Sequence, residues 1–314
     1  MIFIIILIIL IILIILIILL LAIIIISNYY VQLVLIKGKK RVLEIKKNSK
    51  EETKEEILEK EKRREWFEKS QIDVYTKTSD NLKVHAHFIE NKNSNIYTII
   101  VHGYESKGSN MRYYGEKFFN MGYNVILIDL RTHGLSEGSS YGMGYLEKED
   151  ILAWIKYILS INSNADIILF GISMGAESIM IALSQNIPSH VKLAIEDSGY
   201  TNANEQLGNR LKISYHLPYF PFIPTISLIT KLRIGYFFSQ ANALKSVSKT
   251  KTPILFIHGS EDDLVPLEMM ERLYNACSSK KDKLIVEGAY HISSAKHNET
   301  LYWKKIKEFI SEHL

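Results

Sequence analysis

Cysteine is nearly absent from this chain. Cys277 is the only one in 314 residues, which excludes an internal disulfide. With no base beside it in the sequence, a lone thiol reads as a small core residue. Strong zinc patterns, which need several His or Cys at short spacing, are missing as well. His85 and His87 alternate on one strand face as two metal ligands would, but the sequence offers no third ligand nearby. No metal and no organic cofactor is expected. The formal net charge is only +4, and no long basic stripe interleaved with aromatics occurs, so a nucleic-acid partner is not expected either. Charge of either sign is missing altogether from Met1 to Ile26, where nearly every residue is Ile or Leu.

That uncharged run, as a helix, is long enough to cross a hydrocarbon core of ~30 Å. Its summed insertion preference is on the order of −10 kcal/mol. It has no polar face, which argues against a helix lying on the membrane surface. A cleaved signal peptide would need a basic start and a small-residue cleavage site, whereas Met1 is followed by Ile2 and Phe3 and only Ala22 is small. The expectation is an uncleaved transmembrane anchor over residues 1–30, crossing once. Tyr29 and Tyr30 suit the headgroup layer. Lys37, Lys39, Lys40, Arg41, Lys46, Lys47 and Lys50 follow, and positive charge on that flank puts the rest of the chain in the cytoplasm. Residues 31–70 read as a charged linker with a solvated helix, carrying Glu56/Lys60 and Glu59/Arg63 at i,i+4 spacing.

From Ile72 onward the pattern changes. Residues 72–78 and 82–90 flank the turn cluster Ser79-Asp80-Asn81 and read as an antiparallel pair. Six compact apolar runs follow: IYTIIVHG, NVILIDL, DIILFG, KLAIED, PILFIHG and KLIVEG. Such runs mark strands buried on both faces of a parallel sheet. Helical stretches over 110–121, 147–161, 174–185, 267–276 and 298–314 fall between or after them. The fold class is therefore α/β, a mostly parallel sheet with helices on both faces. Sites in such sheets lie at the C-terminal ends of the strands.

Gly171-Ile172-Ser173-Met174-Gly175 fits G-x-S-x-G between a strand and a helix. A serine held on so tight a turn needs Gly171 and Gly175 beside it so that the backbone can pass closely. Its hydroxyl needs a base, which should follow an acid in the chain order Ser, Asp or Glu, His. The strand PILFIHG ends in the acidic turn Glu261-Asp262-Asp263, and His291 follows the strand KLIVEG. Asp197, after another strand, is an alternative acid. Asp129, Arg131, His133 and Gly134 read as loop-fixing residues, and His102 and His258 as braces at strand ends.

Taken in order, VHGYES, IDLRTHGLSEGS, YGMGYLEKEDILAW, GISMGA, AIEDSGY, PILFIHGSEDDLVP and GAYHISS resemble the α/β-hydrolase superfamily. The likeness is to the bacterial serine-hydrolase branch similar to prolyl-oligopeptidase-like and serine aminopeptidase domains. It covers residues 71–314. The resemblance implies that Ser173 is the nucleophile and His291 the base. The pattern G-x-x-D-x-x-V-P falls on Gly259, Asp262, Val265 and Pro266, which implies Asp262 as the acid, with Glu261 and Asp263 as neighbours one position off. It also implies an oxyanion hole from the backbone amides of Tyr104 and Met174.

Between Asp197 and Pro253 the strand pattern pauses. Half of the prolines, Pro218, Pro221 and Pro224, fall here, and residues 200–245 are expected to form a short, rigid, irregular cap. Its aromatics either line an acyl pocket or pack the cap onto the body. The activity implied is cleavage of a carboxylic ester, with a small-molecule or lipid-like acyl substrate. Cleavage of an amide or peptide, and acyl transfer to another acceptor, use the same residues. The alternative of another class is an inactive, membrane-tethered binding protein. Nothing in the sequence sets an oligomeric state.

Overall fold

A computed structural model of the chain describes residues 1–37 and 53–314. The cationic flank at 39–50 lies outside the described residues. Eight strands, β1 (Ile72–Lys77), β2 (Lys83–Ile89), β3 (Ile96–Val101), β4 (Asn124–Ile128), β5 (Asp166–Ile172), β6 (Val191–Asp197), β7 (Ile254–Gly259) and β8 (Lys281–Val286), form one sheet. Its order is β1-β2-β4-β3-β5-β6-β7-β8. β1 and β2 are antiparallel to each other, and β2 is antiparallel to β4; every other pairing is parallel. The helices are α1 (Ile2–Leu35), α2 (Lys54–Ser70), α3 (Arg112–Asn120), α4 (Lys148–Ile161), α5 (Met174–Ala182), α6 (Ala203–Tyr215), α7 (Tyr219–Ile234), α8 (Ala243–Val247), α9 (Leu267–Ala276), α10 (Ser294–His297) and α11 (Glu299–His313).

Side chains on a strand point alternately to opposite faces, and the continuous apolar runs therefore feed two cores. On β5, Ile167 and Leu169 enter one core with α4, α5 and α7, while Ile168, Phe170 and Ile172 enter the other with α3 and α11. Burial on both faces is why the central strands are so largely apolar, whereas the edge strand β8 keeps Lys281, Asp282 and Lys283 half-buried. α5 is buried along its whole length, which anchors its N-terminus at the rim of the sheet.

Three elements differ from the sequence reading. α1 runs to Leu35, past the boundary at 30 set by its apolar composition. Residues 1–22 are exposed, but Val31 and Leu35 are buried in the first core. Tyr30 is buried too, its ring edge-on to Tyr215 at 5.6 Å, so the domain covers a side chain expected in the headgroup layer. α2 carries a capping box, Thr53 with Glu56, and is not fully solvated. Phe67 is buried against His87, Trp66 packs on Phe119, and Arg63 binds Glu116 at 2.6 Å. The proline-rich piece is irregular up to Phe220, whose ψ of 133° breaks α7, and helical from there on through Pro224.

Candidate active site

Ser173 occupies the turn between β5 and α5 with φ 53° and ψ −122°, a backbone region that side chains beyond glycine rarely adopt. Its amide donates to the Asp197 carbonyl at 2.8 Å, which ties the turn to the end of β6. The flanking glycines are sterically required. A Cβ on Gly175 would stand 2.6 Å from the His102 carbonyl oxygen, and one on Gly171 2.7 Å from Ile179 Cδ1. Gly103 also leaves room, since its Cβ would stand 3.3 Å from that of Ser173.

His291 sits on the loop after β8. That loop is fastened to the one after β7: the Glu261 amide donates to the Ala289 carbonyl at 3.0 Å, and the Gly288 amide to Ser260 Oγ at 2.9 Å. The fastening carries Asp262 to His291. Nε2 of His291 lies 3.0 Å from Ser173 Oγ, and its Nδ1 lies 2.7 Å from Asp262 Oδ2. The other oxygen of Asp262 accepts from the amides of Leu264 and Val265 at 3.0 and 2.8 Å. Burial alone would raise this carboxyl's pKa, but hydrogen bonds and charge from His258 and His291 hold it well below the usual range. It therefore stays ionised, and His291 Nδ1–H donates to it, leaving Nε2 as the acceptor facing Ser173.

Glu261 and Asp263 are exposed, whereas Asp262 is buried. Asp197 makes no hydrogen bond to His291. Its two oxygens accept from Ser198 Oγ and Tyr302 Oη, each at 2.8 Å. His258 Nε2 donates to the Val265 carbonyl at 2.8 Å and lies 3.3 Å from Asp262 Oδ2. His102 spans Gly103 O and the Leu130 amide, and burial lowers its pKa to about 4. Asp129 accepts from the amides of Gly108 and Leu135, and Arg131 binds Asp150 and Asp80. His133 bridges Arg131 O and the Glu105 amide. These residues fasten the loops beneath the site.

Met174 opens α5, so its amide belongs to the first-turn set that lacks an intrahelical acceptor. Tyr104 follows β3 across from it. Both line a cavity of about 440 Å³ that also holds Ser173 and His291. Tyr30, Leu33 and Val34 of α1 line the same cavity, with Leu207, Arg210 and Tyr215 of α6. No signal in the sequence points to this wall. A larger open hollow of about 690 Å³ lies at the N-terminal ends of β3 and β5, away from these side chains.

The hairpin supplies a third partner for His85 and His87 that spacing alone could not reveal. Register pairs Asp73 with His87, and Asp73 Oδ1 lies 3.0 Å from His85 Nε2 and 3.1 Å from His87 Nδ1. Nδ1 of His85 meets Asp129 Oδ2 at 2.8 Å, so this set satisfies itself by hydrogen bonds.

A family model described as serine aminopeptidase, S33 matches residues 93–215. An uncharacterized protein of Bacillus subtilis, YqkD, is 32% identical over 68% of this chain and 70% of its own length. An uncharacterized membrane protein of Saccharomyces cerevisiae, YNL320W, is 26% identical over 75% of this chain and 78% of its own. Among solved structures, the esterase Pf2001 of Pyrococcus furiosus superposes with a TM-score of 0.64, at 24% identity, over 77% of this chain and 92% of that one. Sheet order, sequence likeness and superposition agree, and the chain belongs to the α/β-hydrolase superfamily as a hydrolase of that fold.

Proposed function

We propose that the chain is a membrane-anchored serine hydrolase that cleaves carboxylic esters. The observation that carries the reading is the 3.0 Å approach of Ser173 Oγ to His291 Nε2, backed by the 2.7 Å contact of His291 with Asp262. Ser173 Oγ attacks the acyl carbonyl while His291 Nε2 takes its proton. Asp262 fixes the tautomer and stabilises the imidazolium as it forms. The amides of Tyr104 and Met174 hold the oxyanion, each such donor being worth ~3 kcal/mol in the transition state. Collapse breaks the ester C–O bond, and His291 returns the proton to the departing alcohol. Water then repeats the sequence on the acyl-enzyme and frees the acid.

The anchor in this reading is α1, whose uncharged run reaches Ile26 before the chain meets the domain. The cationic flank that begins at Lys37 supports a cytoplasmic catalytic domain. The description of the matching family as a serine aminopeptidase favours a second reading, cleavage of an amide bond by the same residues.

A fluorophosphonate probe tests the nucleophile. Full-length wild type is expected to label, and Ser173→Ala is not. Failure of folded wild type to label would overturn the hydrolase reading in favour of a tethered binding protein. Matched p-nitrophenyl ester and aminoacyl anilide substrates separate the two bond types, and faster anilide cleavage would replace ester by amide.

A further inference from the structure

The pocket wall supplied by α1 bears on what the enzyme takes. Ile2–Ile26 as a helix spans about 37 Å, enough to fill a hydrocarbon core of ~30 Å. Tyr30 then comes only ~6 Å beyond Ile26 along the helix axis, and Val34 ~12 Å beyond it. The cavity holding Ser173 therefore opens against the stretch of α1 that has just left the bilayer. The contact is built: Tyr104 Oη donates to the Val34 carbonyl, Arg233 Nη1 of α7 to Asn28 Oδ1 at 2.8 Å, and Tyr30 Oη to the Leu207 carbonyl at 3.5 Å.

Two further features point the same way. Beside Leu33 and Val34 the cavity is lined by Leu207, Tyr215 and Leu264, with Gln206 and Arg210 among its polar side chains, a largely apolar cleft of the size that holds small ligands. On the cap's outer side, Ile213, Phe220 and Leu232 are 57%, 75% and 77% exposed. They belong to α6 and α7, and α7 packs on α1. Apolar side chains without protein cover, continuous with a helix leaving a membrane, match an interfacial lipid layer.

We propose that the cavity takes the acyl chain of a membrane lipid ester, entering from the bilayer, with Tyr30, Leu33 and Val34 as chain-binding residues. The last two turns of the anchor thereby form part of the substrate site. This rests on the reading of Ser173 as a nucleophile and names the substrate class for it. Each buried methylene is worth about a four-fold gain in kcat/KM, so filling or polarising the wall penalises long chains far more than short ones.

The test uses the full-length protein in phosphatidylcholine vesicles, with p-nitrophenyl oleate and p-nitrophenyl butyrate as probes. Wild type is expected to favour oleate. Leu33→Trp, which fills the cavity, lowers the oleate-to-butyrate ratio of kcat/KM by ~10-fold or more. Leu33→Asn, which keeps the branched shape and removes the apolar contact, shifts the ratio in the same direction and decides the matter if the Trp variant does not fold. Fluorophosphonate labelling accompanies each variant. A labelled variant with an unchanged ratio overturns the lipid assignment and leaves the hydrolase reading standing. Loss of labelling in wild type overturns both.

Discussion

Asp262 Oδ2 lies 2.7 Å from Nδ1 of His291, while its Oδ1 is held by two backbone amides. The carboxylate cannot turn away without giving up all three contacts, so it fixes both ring orientation and tautomer. Asp262→Asn can offer an N–H to Nδ1 and thereby force the proton onto Nε2, where it blocks deprotonation of Ser173. The expected result is a fall in kcat of ~10⁴-fold with the fold intact. Glu261→Gln and Asp263→Asn, at exposed neighbours, are expected to stay within about two-fold of wild type. Steady-state kinetics on all three variants checks this, and a large loss at either neighbour with none at Asp262 would reassign the acid.

Strain at Ser173 gives a prediction of opposite sign for stability and activity. A side chain at φ 53° and ψ −122° costs ~1–3 kcal/mol. Ser173→Gly relieves this, less the ~0.5–1 kcal/mol that glycine loses in conformational entropy. The variant is expected to be about 1 kcal/mol more stable than wild type and inert toward fluorophosphonate. Thermal unfolding in detergent measures the first, and a variant less stable than wild type would rule out strain at this turn.

Much of the fold could be read from the sequence because its signals are local. Two-sided burial made the central strands largely apolar, and the tight turn demanded Gly171 and Gly175. What could not be read depends on neighbours distant in the chain. Hydropathy tells how apolar Val31, Leu33 and Leu35 are but not that the domain covers them, so the end of α1 passed for the start of a charged linker. Charge dominated α2 and hid the docking of Trp66 and Phe67. Asp73 joins His85 and His87 only through hairpin register. Three successive carboxylates at 261–263 look alike until a turn buries the middle one.

Glu196 links stability to pH. It is fully buried at the end of β6, with Oε2 accepting from the Gly199 amide at 2.9 Å, and burial pushes its pKa up to about 8. In the unfolded chain a glutamate titrates near ~4.3. Between these values the unfolded state loses the proton first, so this group's contribution to stability is full below ~4.3 and is lost as pH rises through about 8. Glu196→Gln removes the titration. Wild type is expected to lose more stability than the variant between pH ~5 and pH ~8, with a limiting slope of ~1.4 kcal/mol per pH unit. Parallel melting curves of the two proteins across that range would show that Glu196 is ionised when folded.

The end of α1 should matter for folding as well as for the site. Val31 and Leu35 are fully buried, and Tyr30 nearly so. Burying a side chain of this size contributes ~1.5–3 kcal/mol, so losing all three costs at most about 5–9 kcal/mol. A chain beginning at Ser27 keeps these contacts and sheds only the apolar run, whereas one beginning at Thr53 loses them and exposes the cleft they cover. The first is expected to melt within a few degrees of the full-length protein in detergent. The second should melt ~10 °C or more below it. Equal melting of the two fragments would mean that α1 merely leans on the domain, and the wall it lends to the cavity would then be too loosely held to select a substrate.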